Sequence, residues 1–418
     1  MKLGISKTVI TPIKPVRMCG YGNRVGAFDG VTEDIYTRVH AYEADGQRAI
    51  FCYADLIWFN NDVIPMFRDA LSAAGVKEDE VVFFTSHNHS GPGTGRSFTA
   101  LLESCDDEYR AWLIERVVET VKAAIADMEE VDLLFKLDNL DINVNRRKMI
   151  NGAIAMVPNY EAPADRKITL FKSIRKDGSV KGMMVHYPCH ANLSNGNTIH
   201  GDYPGAALRM LDEQYPESVS IFMQGCTGDM RPNSTIGNVF CPADRERVLK
   251  FATIFKDKVV EMEKDCTEVL PSAVSAPVCS IFNLPLNQTG VRKRAESDSY
   301  PDFQTEQWAK LVKAKNYRPY ETMILTKTVL GGVPMLFYNA EVVQSYAEKA
   351  REFDPRCIST GYANGMIGYI SNSKQIDEGG YEPCDSALWF ALAGTYKNEI
   401  EDIIVSEIEK AVKGGEEK

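Results

Sequence analysis

No stretch of the sequence approaches the roughly 18 uninterrupted apolar residues that a membrane-spanning helix requires. The N-terminus, Met1 to Ile10, has neither the apolar centre of a secretory signal nor a small-residue cleavage site. Ten cysteines are scattered without a single C-x-x-C pair, so thiolate metal sites and a disulfide framework are not indicated. Cys52 and Cys279 lie in apolar runs and read as inert core thiols. Together these absences favour a reducing cytoplasm. An excess of positive charge is missing too. With 47 basic against 58 acidic residues and a net charge of -11, nucleic acid and anionic membrane surfaces are poor partners. No H-E-x-x-H pattern, internal repeat or low-complexity block occurs.

Hydrophobic residues make up 44% and charged residues 25%, which describes an ordinary globular chain. Strand hairpins alternate with helices along it. Tyr36–Glu43 and Arg48–Leu56 flank an Asp45-Gly46 turn, Ile168–Ile174 and Lys181–His186 flank Asp177-Gly178, and Thr322–Leu330 and Val333–Asn339 flank Gly331-Gly332. Apolar spacing predicts helices over 62–74, 108–128, 243–264 and 396–414, the last followed by a charged tail, and another from Ala206 to Tyr215. Leu133–Val144 reads as one extended run, Glu341 as the start of a helix, and 286–320 as the most polar and loop-like segment. The fold class expected is α/β in layers: mixed sheets flanked by helices, in one large catalytic domain over 1–418.

Histidine is rare, at six residues, yet five of the six fall in two strand-end loops. Glu80–Phe84 is a buried-strand pattern that empties into Thr85-Ser86-His87-Asn88-His89-Ser90-Gly91-Pro92-Gly93. In an extended backbone, the two histidines of an H-x-H pair share a face. Val185-His186-Tyr187-Pro188-Cys189-His190 likewise ends a strand, and His200 follows. Such loops are where layered α/β scaffolds hold functional groups, and histidines with oxygen donors and no thiolate suit a catalytic zinc. Hydrogen-bonded histidines capping two strands are the alternative. The glycine-rich Met18-Cys19-Gly20-Tyr21-Gly22 reads by itself as a turn.

Several separated segments, in order, resemble the neutral (non-lysosomal) ceramidase family of zinc amidases. His87-Asn88-His89-Ser90-Gly91-Pro92-Gly93 is similar to the family's H-T-H-S-G-P-G, Val144-Asn145-Arg146 to its N-R-S, and Asp165 to Leu170 to its D-x-x-M-T-L-L strand. Val185-His186 before a proline, Gly201-Asp202-Tyr203-Pro204-Gly205, Gly228-Asp229-Met230-Arg231-Pro232-Asn233, Glu341, and the pair Tyr369 and Tyr381 extend the likeness. The resemblance implies zinc held by His87, His186, Glu341 and Tyr369, with His89, Arg146 and Tyr381 on the substrate side. Asp202, Asp229, Arg231, His190 and His200 are then candidates for contacts to substrate or to the ligands. It implies hydrolysis of an amide by metal-activated water, on a small-molecule or lipid-like N-acyl substrate. A metal-dependent esterase and a non-catalytic zinc-binding scaffold are the rival readings. Two departures stand out. Arg231 occupies the position of a family serine discussed as a nucleophile, and cannot attack. The chain is also expected to lack the family's C-terminal immunoglobulin-like domain, so access to lipid is not implied.

Overall fold

Three segments of the chain fold the same way, although no repeat is visible in their sequences. Each is a hairpin, then a helix, then a short strand that returns parallel to the second hairpin strand. The first runs Tyr36–Ala44, Gln47–Ala54, helix Val63–Ala73, strand Val81–Thr85. The second runs Lys167–Ile174, Val180–Tyr187, helix Asp202–Gln214, strand Val219–Gln224. The third runs Tyr320–Leu330, Val333–Tyr338, helix Gln344–Phe353, strand Ile358–Thr360. Each unit grows into a five-stranded mixed sheet whose edge is the parallel strand. A parallel return needs a crossover, and the helix supplies it. The computed structural model describes residues 1–414; the charged tail expected after the last helix falls outside them.

Alternation along the strands decides the layers. In the first sheet, Phe51, Tyr53, Val82 and Phe84 face the second sheet, where Phe135, Phe171, Met184 and Ile221 line the opposing face. Their neighbours Ile50, Cys52, Val81 and Phe83 point the other way, onto the helices Val63–Ala73 and Asp107–Ala126. Burying one such side chain contributes about 1.5–3 kcal/mol. The third sheet packs with the helices Phe303–Ala314, Gln344–Phe353 and Ile400–Lys413 into a separate core. Asp106, Asp244 and Asp302 each cap a helix by accepting the backbone N–H three residues on.

Four expectations change. The run 133–144 divides into Asp132–Asn139 and Asn143–Ile150, in different sheets, because the chain turns at Leu140 to Ile142. Glu341-Val342 is a two-residue strand paired with Tyr369-Ile370, and the helix begins only at Gln344. The polar segment 286–320 contains the helix Val291–Ala295 and the capped helix Phe303–Ala314, whose Trp308, Ala309 and Val312 are buried. Cys279 is exposed, since its strand lies towards the edge of the third sheet. Among the described residues no helix is long and apolar enough to cross a membrane.

At one end the three units are stitched together by their backbones. Asn364 N–H donates to Phe83 O at 2.7 Å, and Gly361 N–H donates to Gln224 O at 3.0 Å. These bonds tie the carboxyl ends of the three parallel edge strands to one another. The loops that leave those ends must therefore share one space.

Candidate metal centre

His87 and His89 leave the first edge strand, His190 leaves the second hairpin strand of the second unit, and Glu341 follows the second hairpin strand of the third. His87 lies beyond its strand with φ of 60°, a left-handed conformation that costs a non-glycine residue energy. Extended-strand alternation therefore does not orient the pair. Even so, the ring nitrogens meet: His87 Nε2 is 3.0 Å from His190 Nε2 and 3.2 Å from His89 Nε2. One nitrogen from each of the three histidines lies within 4.8 Å of the other two, a grouping that can bind a metal ion.

What fixes the rings indicates their tautomers. His87 Nδ1 is 3.1 Å from Ile57 O, and His190 Nδ1 is 3.1 Å from Thr227 O. A carbonyl can only accept, so both Nδ1 atoms carry the proton and both Nε2 atoms present lone pairs. Ligating histidines are held in this manner. Tyr362 stacks on His87 at 4.0 Å between centroids, while its hydroxyl meets Thr227 Oγ1 at 2.7 Å. His89 differs. Its Nδ1 is buried without a hydrogen-bond partner, against Gly20, where a Cβ would come within 2.5 Å of that nitrogen.

Glu341 completes the centre. Its Oε1 lies 3.4 Å from His87 Nε2 and 3.2 Å from His190 Nε2, but at angles that make no hydrogen bond, and it is fully buried. Burial, and then the neighbouring His87, lower His190 to about 3. Thus two lone pairs and a carboxylate oxygen face each other with no proton to share. That arrangement is repulsive unless a cation fills it.

Tyr369 pairs with Glu341 in parallel register on the adjoining strand. Its ring lies 5.3 Å from the Arg146 guanidinium and 5.4 Å from the Tyr381 ring. Arg146 Nε donates to Glu382 Oε1 at 2.8 Å, and Arg147 grips the other oxygen of the same carboxylate. Arg146 Nη2 is buried with no protein partner.

A family model described as neutral/alkaline non-lysosomal ceramidase, N-terminal, matches residues 1–260. The chain belongs to that family. Among solved structures, the neutral ceramidase of Pseudomonas aeruginosa matches with a TM-score of 0.77 at 16% identity, covering 98% of this chain and 74% of that one. A ceramidase complexed with C2 matches at 0.76 and 15% identity, with the same coverages. At such identities the likeness speaks for the fold. No curated protein sequence matches.

In this ceramidase-family chain the sequence-expected residues divide. His87, His89, Glu341, Tyr369, Arg146 and Tyr381 gather at the centre. His186 does not. Its side chain, still inside its strand, has Nε2 2.9 Å from Ser359 O, and burial lowers it to about 4. The nitrogen that joins His87 belongs to His190, four residues later, because Tyr187 ends the strand and the Pro188 turn swings the following loop towards the centre. The sequence did offer a signal, since His190 stands in the loop rather than in the strand.

His200 accepts the Asp202 N–H at 3.0 Å and shapes a turn. Asp202, with φ of 50°, opens a helix and is raised to about 6 by burial. Asp229 accepts from Gln344 N–H and from Gln375 Nε2, bracing the Arg146 strand against the third unit. Arg231 forms no side-chain hydrogen bond or ion pair with any described residue and lies 4.7 Å from the Phe240 ring. Tyr21, a residue overlooked in the sequence, sits 5.1 Å from His89. Only its glycine neighbours hinted at it, because a backbone that passes this close to His89 has no space for a Cβ at position 20.

Proposed function

We propose that this chain is a metal-dependent hydrolase, with zinc as its metal, that cleaves the amide bond of an N-acyl, ceramide-like substrate. One observation carries the reading: two imidazoles with Nδ1 spent on carbonyls aim Nε2 at a buried carboxylate oxygen that has no hydrogen bond. Family membership supports the hydrolase and its class of substrate. His87, His190 and Glu341 hold the ion in this reading, and Tyr369 adds an oxygen donor from the adjoining strand. Nitrogen and oxygen donors without thiolate suit zinc at a catalytic site. Bound there, zinc supplies Lewis acidity, which makes water acidic near neutral pH and polarises a carbonyl.

The remaining groups act on the substrate. Arg146, anchored through Nε, keeps Nη2 free to donate to an amide oxygen as negative charge grows on it. Tyr381, 5.9 Å from the same guanidinium, offers a second donor. His89 has no carbonyl on Nδ1 to fix its tautomer, so it is the histidine able to accept a proton and deliver it to the departing amine. Overall, water adds across the C–N bond to leave a carboxylate and an amine.

Elemental analysis of the purified wild type, His87→Ala and Glu341→Ala tests this, alongside hydrolysis of ceramide and of short N-acyl amides. The expected result is one zinc per chain, lost in both variants together with amide hydrolysis. Wild-type protein that stays metal-free and inactive after zinc is added overturns it.

A further inference from the structure

Three guanidinium groups stand around the centre, Arg24 at His89, Arg146 at Tyr369 and Arg231 beside Tyr21, Tyr369 and Arg146, and two of them are committed. Arg24 donates to the carbonyls of Cys19 at 2.9 Å and Gly196 at 2.7 Å, and also to that of His89. Arg146 shares Glu382 with Arg147. Arg231 alone of the three has no acceptor, and its Nε is buried. The Phe240 ring supports one side of it, a weak partner compared with an anion. Its strand, Met230–Pro232, pairs with the strand that carries Arg146, with Arg231 opposite Val144.

The acidic groups around Arg231 are already spent. Asp202, whose charge reaches it, accepts from the backbone N–H of Tyr203 and Ser194. Asp229 is held by Gln344 and Gln375. Tyr21, Arg146 and Tyr369 are the other titratable neighbours, and burial raises both phenols, Tyr21 to about 12, so they add no negative charge near neutral pH. Burial lowers the Arg231 guanidinium itself, a sign of a charge poorly served by its surroundings. Tyr21, Arg231 and Tyr381 are half-buried, whereas His87, His190 and Glu341 are fully enclosed. The first three therefore stand on the approach to the centre.

We propose that Arg231 selects amide substrates whose amine half carries a carboxylate, of the class of N-acyl amino acids. The inference rests on the amide-hydrolase reading above and supplies its substrate class. A planar guanidinium matches a carboxylate in a fork, giving two parallel charge-assisted hydrogen bonds. A single open guanidinium also suits a monoanion better than a phosphate dianion, because Arg24 spends its donors on backbone carbonyls, while Arg146 is held by Glu382 and its one open nitrogen serves the amide oxygen.

The test compares N-lauroylglycine with the uncharged N-lauroylethanolamine and with its O-phosphorylated derivative, in the zinc-loaded wild type, Arg231→Gln and Arg231→Lys. Wild type should favour the carboxylate over the neutral amide in kcat/KM by about tenfold or more, the value of a hydrogen bond to a charged group. Arg231→Gln should bring that ratio to about one, and Arg231→Lys should keep part of it. Calorimetric binding of N-lauroylglycine should weaken about tenfold in Arg231→Gln, a readout that does not depend on turnover. Equal use of the acid and the neutral amide by wild type, a ratio that survives in Arg231→Gln, or a preference for the phosphate would each overturn the inference while leaving the hydrolase intact. Absence of all hydrolysis would instead strike the hydrolase reading, and the binding measurement would still judge Arg231.

Discussion

Two buried carboxylates lie in the same site and are treated in opposite ways. Around Glu382 the charges are closed: Arg146 and Arg147 take one oxygen each, and Arg147 also donates to Gly379 O at 2.9 Å. Around Glu341 they are open, since the nearest groups are acceptor nitrogens and Oε1 makes no hydrogen bond. Both carboxylates are equally buried. Burial therefore does not mark the reactive one. The difference lies in what the neighbours can donate, and a centre lined only with acceptors is one that can bind a cation.

The contrast can be broken from either side. The largest effect is expected at His89, the histidine with a free Nδ1. His89→Gln should lower kcat/KM by about 10²–10⁴-fold while the zinc content stays at that of wild type. Equal loss of metal in His89→Gln and His87→Ala would make His89 a ligand and erase the distinction between them.

Next comes the closed cluster. Glu382→Gln removes the counter-charge of two buried guanidiniums, so chemical denaturation should show a loss of about 3–5 kcal/mol with zinc still bound. A loss below ~1 kcal/mol would mean that Arg146 and Arg147 find other acceptors and that the clamp is not structural.

The smallest effect sharpens the comparison between His186 and His190. His186→Leu should retain zinc and cost about 1–3 kcal/mol at neutral pH, the price of an unmet Ser359 carbonyl. Its pH dependence has a definite sign. His186 is lowered by burial to about 4 from an unfolded value near 6.5, so the stability it contributes is present above about 6.5 and lost as pH falls through about 4. Denaturation midpoints of His186→Leu should thus fall less than those of wild type between those limits. Loss of zinc in this variant would return His186 to the ligand set.

Much of this was legible along the chain. Asp45-Gly46, Asp177-Gly178 and Gly331-Gly332 fixed three hairpins, because a turn with positive φ is a local requirement. The helix Asp107–Ala126 was written in the spacing of Leu113, Val117 and Val121. His87, His89, Arg146, Glu341, Tyr369 and Tyr381 were all singled out, for they lie at strand ends or match a motif. What failed was choice between near neighbours. His186 and His190 are both histidines beside one proline, and only the bend after Tyr187 decides which ring nitrogen meets His87. Helix Phe303–Ala314 was missed because its apolar face is narrow and its partners, such as Leu392 for Trp308, are remote in sequence.

The sequence by itself determined most of the strands and helices and the chemical types gathered at their ends, since those follow from contacts a few residues apart. Only the tertiary structure decided that three unlike segments share one hairpin–helix–strand plan and meet at their carboxyl ends. It alone decided which carboxylate is paired and which is left open, and that Arg231 has no partner. Pairing depends on where backbones from opposite ends of the chain stop, and no local pattern of residues carries that distance.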